Sequence, residues 1–364
     1  MVLTTIIAAI LILGILIFAH EFGHFIAAKK SGVRVEEFGF GFPPRIFSFK
    51  RGETVYSLNL IPVGGFVKIY GEERGEKESK SKFAFYNKPH WQRAIILCAG
   101  VLMNLLVAAI FLSIVHSIGI PTIIENKGES IARNIQIQII DVAKNSPAEI
   151  AGIKIGDAIQ KLSYKNESVQ VSTIEQVQNF ISLHIGEEIE MELKRAGEII
   201  TVRVTPRPNP PEGEGATGIA MAKTGLISYP WYQSIWLGIK TTGQMTVTMI
   251  SLFYLLIKTL ISKGQMIGDV AGPVGIYSMT SQMVKLGWVY VLQFAAILSI
   301  NLAILNALPF PALDGGRLLF LLIEKIKGKP IKFKTEKAAN AIGFAILIIL
   351  MIIVTFKDVI KLFK

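Results

Sequence analysis

Cysteine is almost missing from this chain of 364 residues: Cys98 stands alone. No intrachain disulfide is possible, so redox chemistry gives no reading of the compartment. Histidine is scarce too, with five residues, so a metal centre built on imidazole has few candidates. Charge is low overall, at 18%, and absent from four blocks, residues 2–19, 94–122, 286–313 and 341–356. The first block has no basic segment before it and no small-residue cleavage site after it, and is read as a retained helix. There is no inverted repeat of the kind a transporter would show.

What is present in those blocks is apolar. Hydrophobic residues make up 51% of the chain, with a mean hydropathy of +0.49. About 18 apolar residues match a hydrocarbon core of about 30 Å, so the blocks predict four spans. The net charge of +11 invites a nucleic-acid partner, but its placement argues against one. Lys29, Lys30, Arg34, Arg45, Lys50, Arg51, Lys68, Arg74, Lys77, Lys80, Lys82, Lys88 and Arg93 follow the first block. Lys325, Lys327, Lys329, Lys332, Lys334 and Lys337 precede the last. Basic loops stay in the cytoplasm, so the charge reads as topology.

The predicted fold class is an α-helical polytopic membrane protein of about four transmembrane helices, with a cytoplasmic or membrane-reentrant β segment and an external α+β domain. The expected order is a first span over 1–28, a cytoplasmic β segment over 29–92 and a second span over 93–119. An external domain follows over 123–207, then a linker with interfacial helices over 208–285. A third span covers 288–316, a basic cytoplasmic loop 317–337 and a fourth span 338–357. The stretch 231–261 tempts a fifth span. Lys240 and Lys258 within it fit a helix in the interface or packed against the external domain. Around Phe38, Gly39, Phe40 and Gly41 the chain is too apolar for an ordinary exposed loop. It either dips into the membrane or forms a small β-layer on its surface.

His20-Glu21-Phe22-Gly23-His24 carries the chemistry. Positions i and i+4 share one helix face, so two imidazoles can bind one tetrahedral Zn2+, with Glu21 beside them to take a proton from water at the metal. The motif follows about 18 apolar residues, or about 27 Å of helix, which places it near the inner edge of the membrane. Ionisable residues at that depth are costly and by default functional. A catalytic zinc wants a third protein ligand. His116 and His184 fall on the wrong side and His90 lies in a basic loop. Asp314 ends an apolar stretch broken by Pro309, Pro311, Gly315 and Gly316 and is the better candidate. Asn306, eight residues earlier, either binds the substrate backbone or the developing oxyanion, or packs against a neighbouring helix.

HEFGH at 20–24, GFG at 39–41, IPVGGFVKIYGE at 61–72 and NALPFPALDGG at 306–316 together resemble the site-2 protease family of intramembrane zinc metallopeptidases, in its bacterial regulator-of-sigma-E-protease type. The resemblance covers most of the chain. It implies one Zn2+ per chain on His20, His24 and Asp314, with Glu21 as catalytic base and Asn306 binding substrate. It also implies that a hairpin around Phe38, Gly39, Phe40 and Gly41 presents the substrate as an extended strand. The pattern Ser146-Pro147-Ala148…Ala151-Gly152-Ile153…Gly156-Asp157 looks like a PDZ signature, and no second copy follows, so one PDZ domain with a peptide ligand is expected. The resemblance further implies regulated intramembrane proteolysis in the bacterial inner membrane. Its substrates would be single-span proteins already cut by another protease, anti-sigma factors or remnant signal peptides. The competing reading is a membrane-tethered PDZ scaffold with an inactive metal site.

Overall fold

A computed structural model describes residues 2–72, 81–124, 133–195, 197–264 and 271–362. The basic residues Arg74, Lys77 and Lys80, and Ala196, lie outside the described residues. In chain order the elements begin with α1 (Val2–Lys30), β1 (Val35–Arg51), β2 (Thr54–Ile69) and α2 (His90–Ile118). Then come β3 (Ile120–Ile123), β4 (Arg133–Val142), α3 (Pro147–Ile150), β5 (Ala158–Tyr164), β6 (Glu167–Gln170) and α4 (Ile174–Leu183). The rest are β7 (Ile189–Arg195), β8 (Glu198–Val204), β9 (Ile219–Ile227), α5 (Trp231–Lys263), α6 (Pro273–Leu286), α7 (Trp288–Ala307), α8 (Asp314–Lys327) and α9 (Phe333–Leu362).

Two compact units emerge, Met1–Ile114 with Ile235–Val284 and Tyr290–Lys364, and Val115–Ser234 with Lys285–Val289. Four described helices are long and apolar enough to cross a membrane: Val2–Lys30, His90–Ile118, Trp288–Ala307 and Phe333–Lys361. The last two depart from their predicted limits in opposite directions. Helix α7 stops at Ala307 because Pro309 and Pro311 cannot continue it, whereas α9 starts at Phe333 and absorbs residues assigned to the basic loop.

In the first unit, α1, α2 and α7 form the centre. Ile12 and Leu16 of α1 meet Ala295 of α7, with Val107 and Phe111 of α2 beside them. Ala108 and Leu112 of α2 meet Ala296, Ile300 and Ile304 of α7. Helix α5 lays Met245, Met249 and Phe253 on that second cluster. Met245, Met249 and Phe253 of α5 thus pack on the spans. The reason is a stripe of Met and Phe at helical spacing, i, i+4 and i+8.

Strands β1 and β2 double back on each other. Phe38, Gly39 and Phe40 of β1 pair on one side with Gly65–Val67 and on the other with Tyr56–Leu58. The first half of β2 then also takes Phe47–Phe49. The result is four strand segments whose outermost members are the ends of β1 and β2. The second half of β2 runs along α1, with Pro62 over Gly14, Gly64 over Ile17 and Gly65 over Phe18. Glycine is needed at 39, where a Cβ would overlap the Phe66 ring and the Ser57 hydroxyl. Far from α1 the hairpin exposes Phe42, Ile46, Phe47, Phe49, Leu58, Leu60 and Ile61.

The second unit holds a 7-stranded antiparallel sheet in the order β3-β9-β4-β5-β7-β8, with β6 on β5. Alternation drives its core: Ile137, Ile139, Ile159, Leu162, Ile189, Met191 and Leu193 all point inward, under Val177, Phe180 and Ile181 of α4. Ser146 caps α3 with Pro147 at N1, and a Thr173–Gln176 capping box starts α4. His184 is a core residue that closes α4, donating from Nδ1 to the Phe180 carbonyl at 2.8 Å between the Tyr164 and Phe180 rings. Strand β9 comes from the stretch expected to be linker. Its register against β4 depends on chain folded well before it, which local patterning does not reveal.

Candidate metal centre

Three side chains converge on one point. His20 Nε2 lies 3.0 Å from Asp314 Oδ2, His24 Nε2 lies 3.1 Å from the same oxygen, and the two Nε2 atoms are 3.1 Å apart. The imidazoles are buried and stand edge to face with centroids 4.7 Å apart. Among the described residues this is the one group of three or more His, Cys, Asp or Glu able to share a metal ion.

Each member has a cause. The two histidines come from the i, i+4 spacing on α1. Their room comes from Gly100 of α2: a Cβ there would lie 2.8 Å from His20 Nε2 and closer still to His24 Nε2. Gly23 lets α1 and α2 approach, since its own Cβ would overlap the Ala99 carbonyl. Asp314 opens α8, where the helix dipole favours a carboxylate. Residues 308–313 fold over the start of α8, and a Cβ at Gly315 or Gly316 would strike the carbonyls of Leu308 or Phe310. Helix α9 braces that loop, with Asn340 Oδ1 accepting from the Ala312 N–H at 3.0 Å.

The donor set fits a tetrahedral cation. His24 Nδ1 donates to the Ile96 carbonyl at 2.8 Å, which leaves Nε2 as a free lone pair. Two imidazole nitrogens and a carboxylate oxygen are the ligand types zinc takes, with a fourth position left open for catalysis. Glu21 sits beside them, and one of its oxygens accepts from the Val67 N–H of β2 at 3.2 Å.

A cavity of about 290 Å³ surrounds the cluster, lined by His20, Glu21, His24 and Asp314 together with Val67, Glu72 and Arg317. Arg317 stands one helical turn after Asp314 and pairs with Glu72, three residues past the end of β2. That pair also borders a second cavity of about 200 Å³, next to the buried Arg93–Glu324 bridge of 2.9 Å.

The sequence-singled residues do not all meet here. His20, Glu21, His24 and Asp314 share one cavity. Asn306, in the last turn of α7, is half-buried and does not line it. Phe38 and Phe40 brace α1: their rings lie 5.3 and 5.6 Å from Phe18, and Phe38 lies 4.8 Å from Phe25. Phe38, Gly39 and Phe40 have strand partners on both sides, so their backbone is not open to a further strand. The strand that reaches Glu21 is instead Gly65–Ile69. Sequence reasoning missed Gly100, Asn104, Val67 and Arg317. Asn104 had a signal, a fully polar side chain inside an apolar span.

A family model for Peptidase family M50 matches residues 8–350. The chain belongs to peptidase family M50. A Clostridium acetobutylicum protein named as a zinc metalloprotease is 37% identical over 358 residues, covering 98% of this chain and 97% of its own. The regulator of sigma-W protease RasP of Bacillus subtilis is 32% identical over 446 aligned positions, spanning 100% of both chains. Zinc metalloprotease RasP of Bacillus licheniformis is 32% identical over 444, covering 99% of this chain and 100% of its own. The M50 match runs from within α1 into α9 and so includes every member of the metal cluster.

Proposed function

We propose that the chain cleaves single-span membrane proteins at a zinc ion held by His20, His24 and Asp314, with Glu21 as general base. The activity itself follows from the family: the chain is an intramembrane zinc metalloprotease, and Zn2+ is its cofactor. The observation that carries the residue assignment is the convergence of three lone-pair atoms within 3.0–3.1 Å beside Glu21. An intact donor set of this kind counts against an inactive scaffold.

When bound, the zinc supplies Lewis-acid polarisation and lowers the pKa of water at its open position toward about 7. Glu21, oriented by the Val67 N–H, takes the proton from the attacking water and delivers it to the departing nitrogen. The carbon–nitrogen bond breaks, leaving a carboxylate on one product and an amine on the other. A helix hides its peptide bonds, so the substrate must unwind. The outer edge at Gly65–Ile69 is where the unwound segment adds as a strand, next to Glu21. Asn306 makes no side-chain hydrogen bond among the described residues and is left to bind substrate backbone at the rim. The exposed apolar side chains at the tip of the β1–β2 hairpin suit contact with lipid.

The basic residues around 29–93 and 325–337 support a cytoplasmic catalytic face. On the same reading residues 123–207 of the second unit are external. That unit is a PDZ-type peptide-binding domain in this proposal, its groove lying where α4 meets β9. By analogy with the sigma-W regulator, the substrates are membrane-anchored anti-sigma factors, first shortened by another protease. The test is cleavage of a single-span substrate by purified protein, wild type and Glu21→Gln, with metal analysis of both. Zinc near one per chain in both, with cleavage in the wild type alone, supports the assignment. Cleavage by Glu21→Gln sinks it.

A further inference from the structure

Asn104 lies within α2, fully buried, and neither the donor set nor the proton transfer uses it. Its backbone carbonyl accepts a 2.7 Å bond from Ser299 Oγ of α7, which holds its turn of helix in place. Its side-chain amide meets His20 Nδ1 at 3.4 Å. Its Oδ1 is buried with no hydrogen-bond partner. A buried amide oxygen without a donor is costly, and native structures rarely leave one.

The chemistry of His20 supplies the missing donor. An imidazole that offers Nε2 as a lone pair carries its proton on Nδ1, and that N–H needs an acceptor to hold the tautomer. His24 meets this need with the Ile96 carbonyl at 2.8 Å. Among the described residues, the polar side chain that meets His20 Nδ1 is Asn104. A half-turn of the Asn104 amide exchanges Nδ2 for Oδ1, which pairs the orphaned oxygen with the Nδ1–H. With Nδ2 facing Nδ1 instead, His20 would carry its proton on Nε2 and could not ligate.

We propose that Asn104 is a positioning residue for the metal centre: its Oδ1 accepts the Nδ1–H of His20 and fixes the tautomer that leaves Nε2 for zinc. The inference rests on the reading that His20 is a zinc ligand. Ser299 ties this contact to α7, so the tautomer of His20 depends on the packing of three helices.

The test is zinc affinity of the full chain in detergent, by chelator competition, for wild type, Asn104→Leu and Asn104→Asp. Absorption of the Co2+-loaded proteins and melting of the metal-free proteins are recorded alongside. Leu is close to Asn in size and at home in a span. Asp keeps an acceptor oxygen. The expected result is a 10–100-fold loss of affinity in Asn104→Leu, with altered Co2+ bands. Asn104→Asp stays within about threefold of wild type, the usual sign that the acceptor and not the shape matters. Wild-type affinity in a folded Asn104→Leu overturns the proposal. So does an equal loss in both variants with a matching drop in metal-free melting temperature, which would make Asn104 a packing residue. A wild type that binds no zinc would instead refute the metal assignment itself, and this inference with it.

Discussion

Gly100→Ala adds one methyl group to α2 at the point where the two histidines pass. The new Cβ would lie 2.8 Å from His20 Nε2 and 2.7 Å from His20 Cε1, and nearer still to His24 Nε2. Carbon contacts settle at about 3.5–4.0 Å, so the imidazoles must retreat by about 0.7 Å or more. Ligand distances at a metal tolerate about 0.2 Å, so the shift exceeds the tolerance about threefold. The rings have little freedom to absorb it: His24 is tied through Nδ1 to Ile96, and α1 is pressed on α2 at Gly23. Within the helix itself Ala is favoured over Gly by about 1 kcal/mol, so the helix is not what fails. Gly100→Ala is expected to fold and insert normally, to hold zinc far below one per chain, and to cleave at least about 100-fold more slowly. Metal analysis of the purified protein and a cleavage assay on a single-span substrate decide it. Full zinc occupancy with wild-type cleavage would refute the geometry of the centre.

Other perturbations probe separate links. Val67→Pro removes the N–H that Glu21 accepts from; losing one charge-assisted bond predicts about a 10–100-fold drop in turnover, with zinc content unchanged by metal analysis. Glu324→Leu strands the buried Arg93 and should cost about 3–5 kcal/mol, seen as a lower melting temperature. Pairing it with Arg93→Leu recovers most of the loss, and a single mutant that melts like wild type contradicts the burial argument. Arg317→Ala frees Glu72 at the cavity wall and is expected to lower turnover while leaving zinc bound.

Much of this was legible in the sequence because it is local. The i, i+4 histidines need one helix turn, the uncharged blocks need only a length, and the Pro and Gly pattern around Asp314 announces a broken helix. What was hidden is tertiary. Gly100 matters only because α2 lies against α1, and nothing near it in sequence says so; Asn104 stands out as a polar side chain in an apolar span, but its partner His20 does not. The strand that reaches Glu21 could not be chosen from the sequence: Phe38–Gly41 and Gly65–Ile69 both fall in the segment expected to be β, and the doubled pairing makes the first an inner segment. Strand β9 was hidden because its partners lie some 80 residues earlier in the chain. Helix α5 was ambiguous because its stripe of Met245, Met249 and Phe253 is apolar enough for either a membrane or a helical partner.

X-ray absorption at the zinc edge of the purified full-length protein tests the centre most directly. Zinc near one per chain is expected, in a first shell of nitrogen and oxygen at about 2.0–2.2 Å with imidazole scattering from two histidines. That imidazole signal should weaken in His20→Ala and in His24→Ala. A sulfur shell near about 2.3 Å, or a spectrum unchanged when either histidine is removed, would contradict a metal centre built on His20, His24 and Asp314.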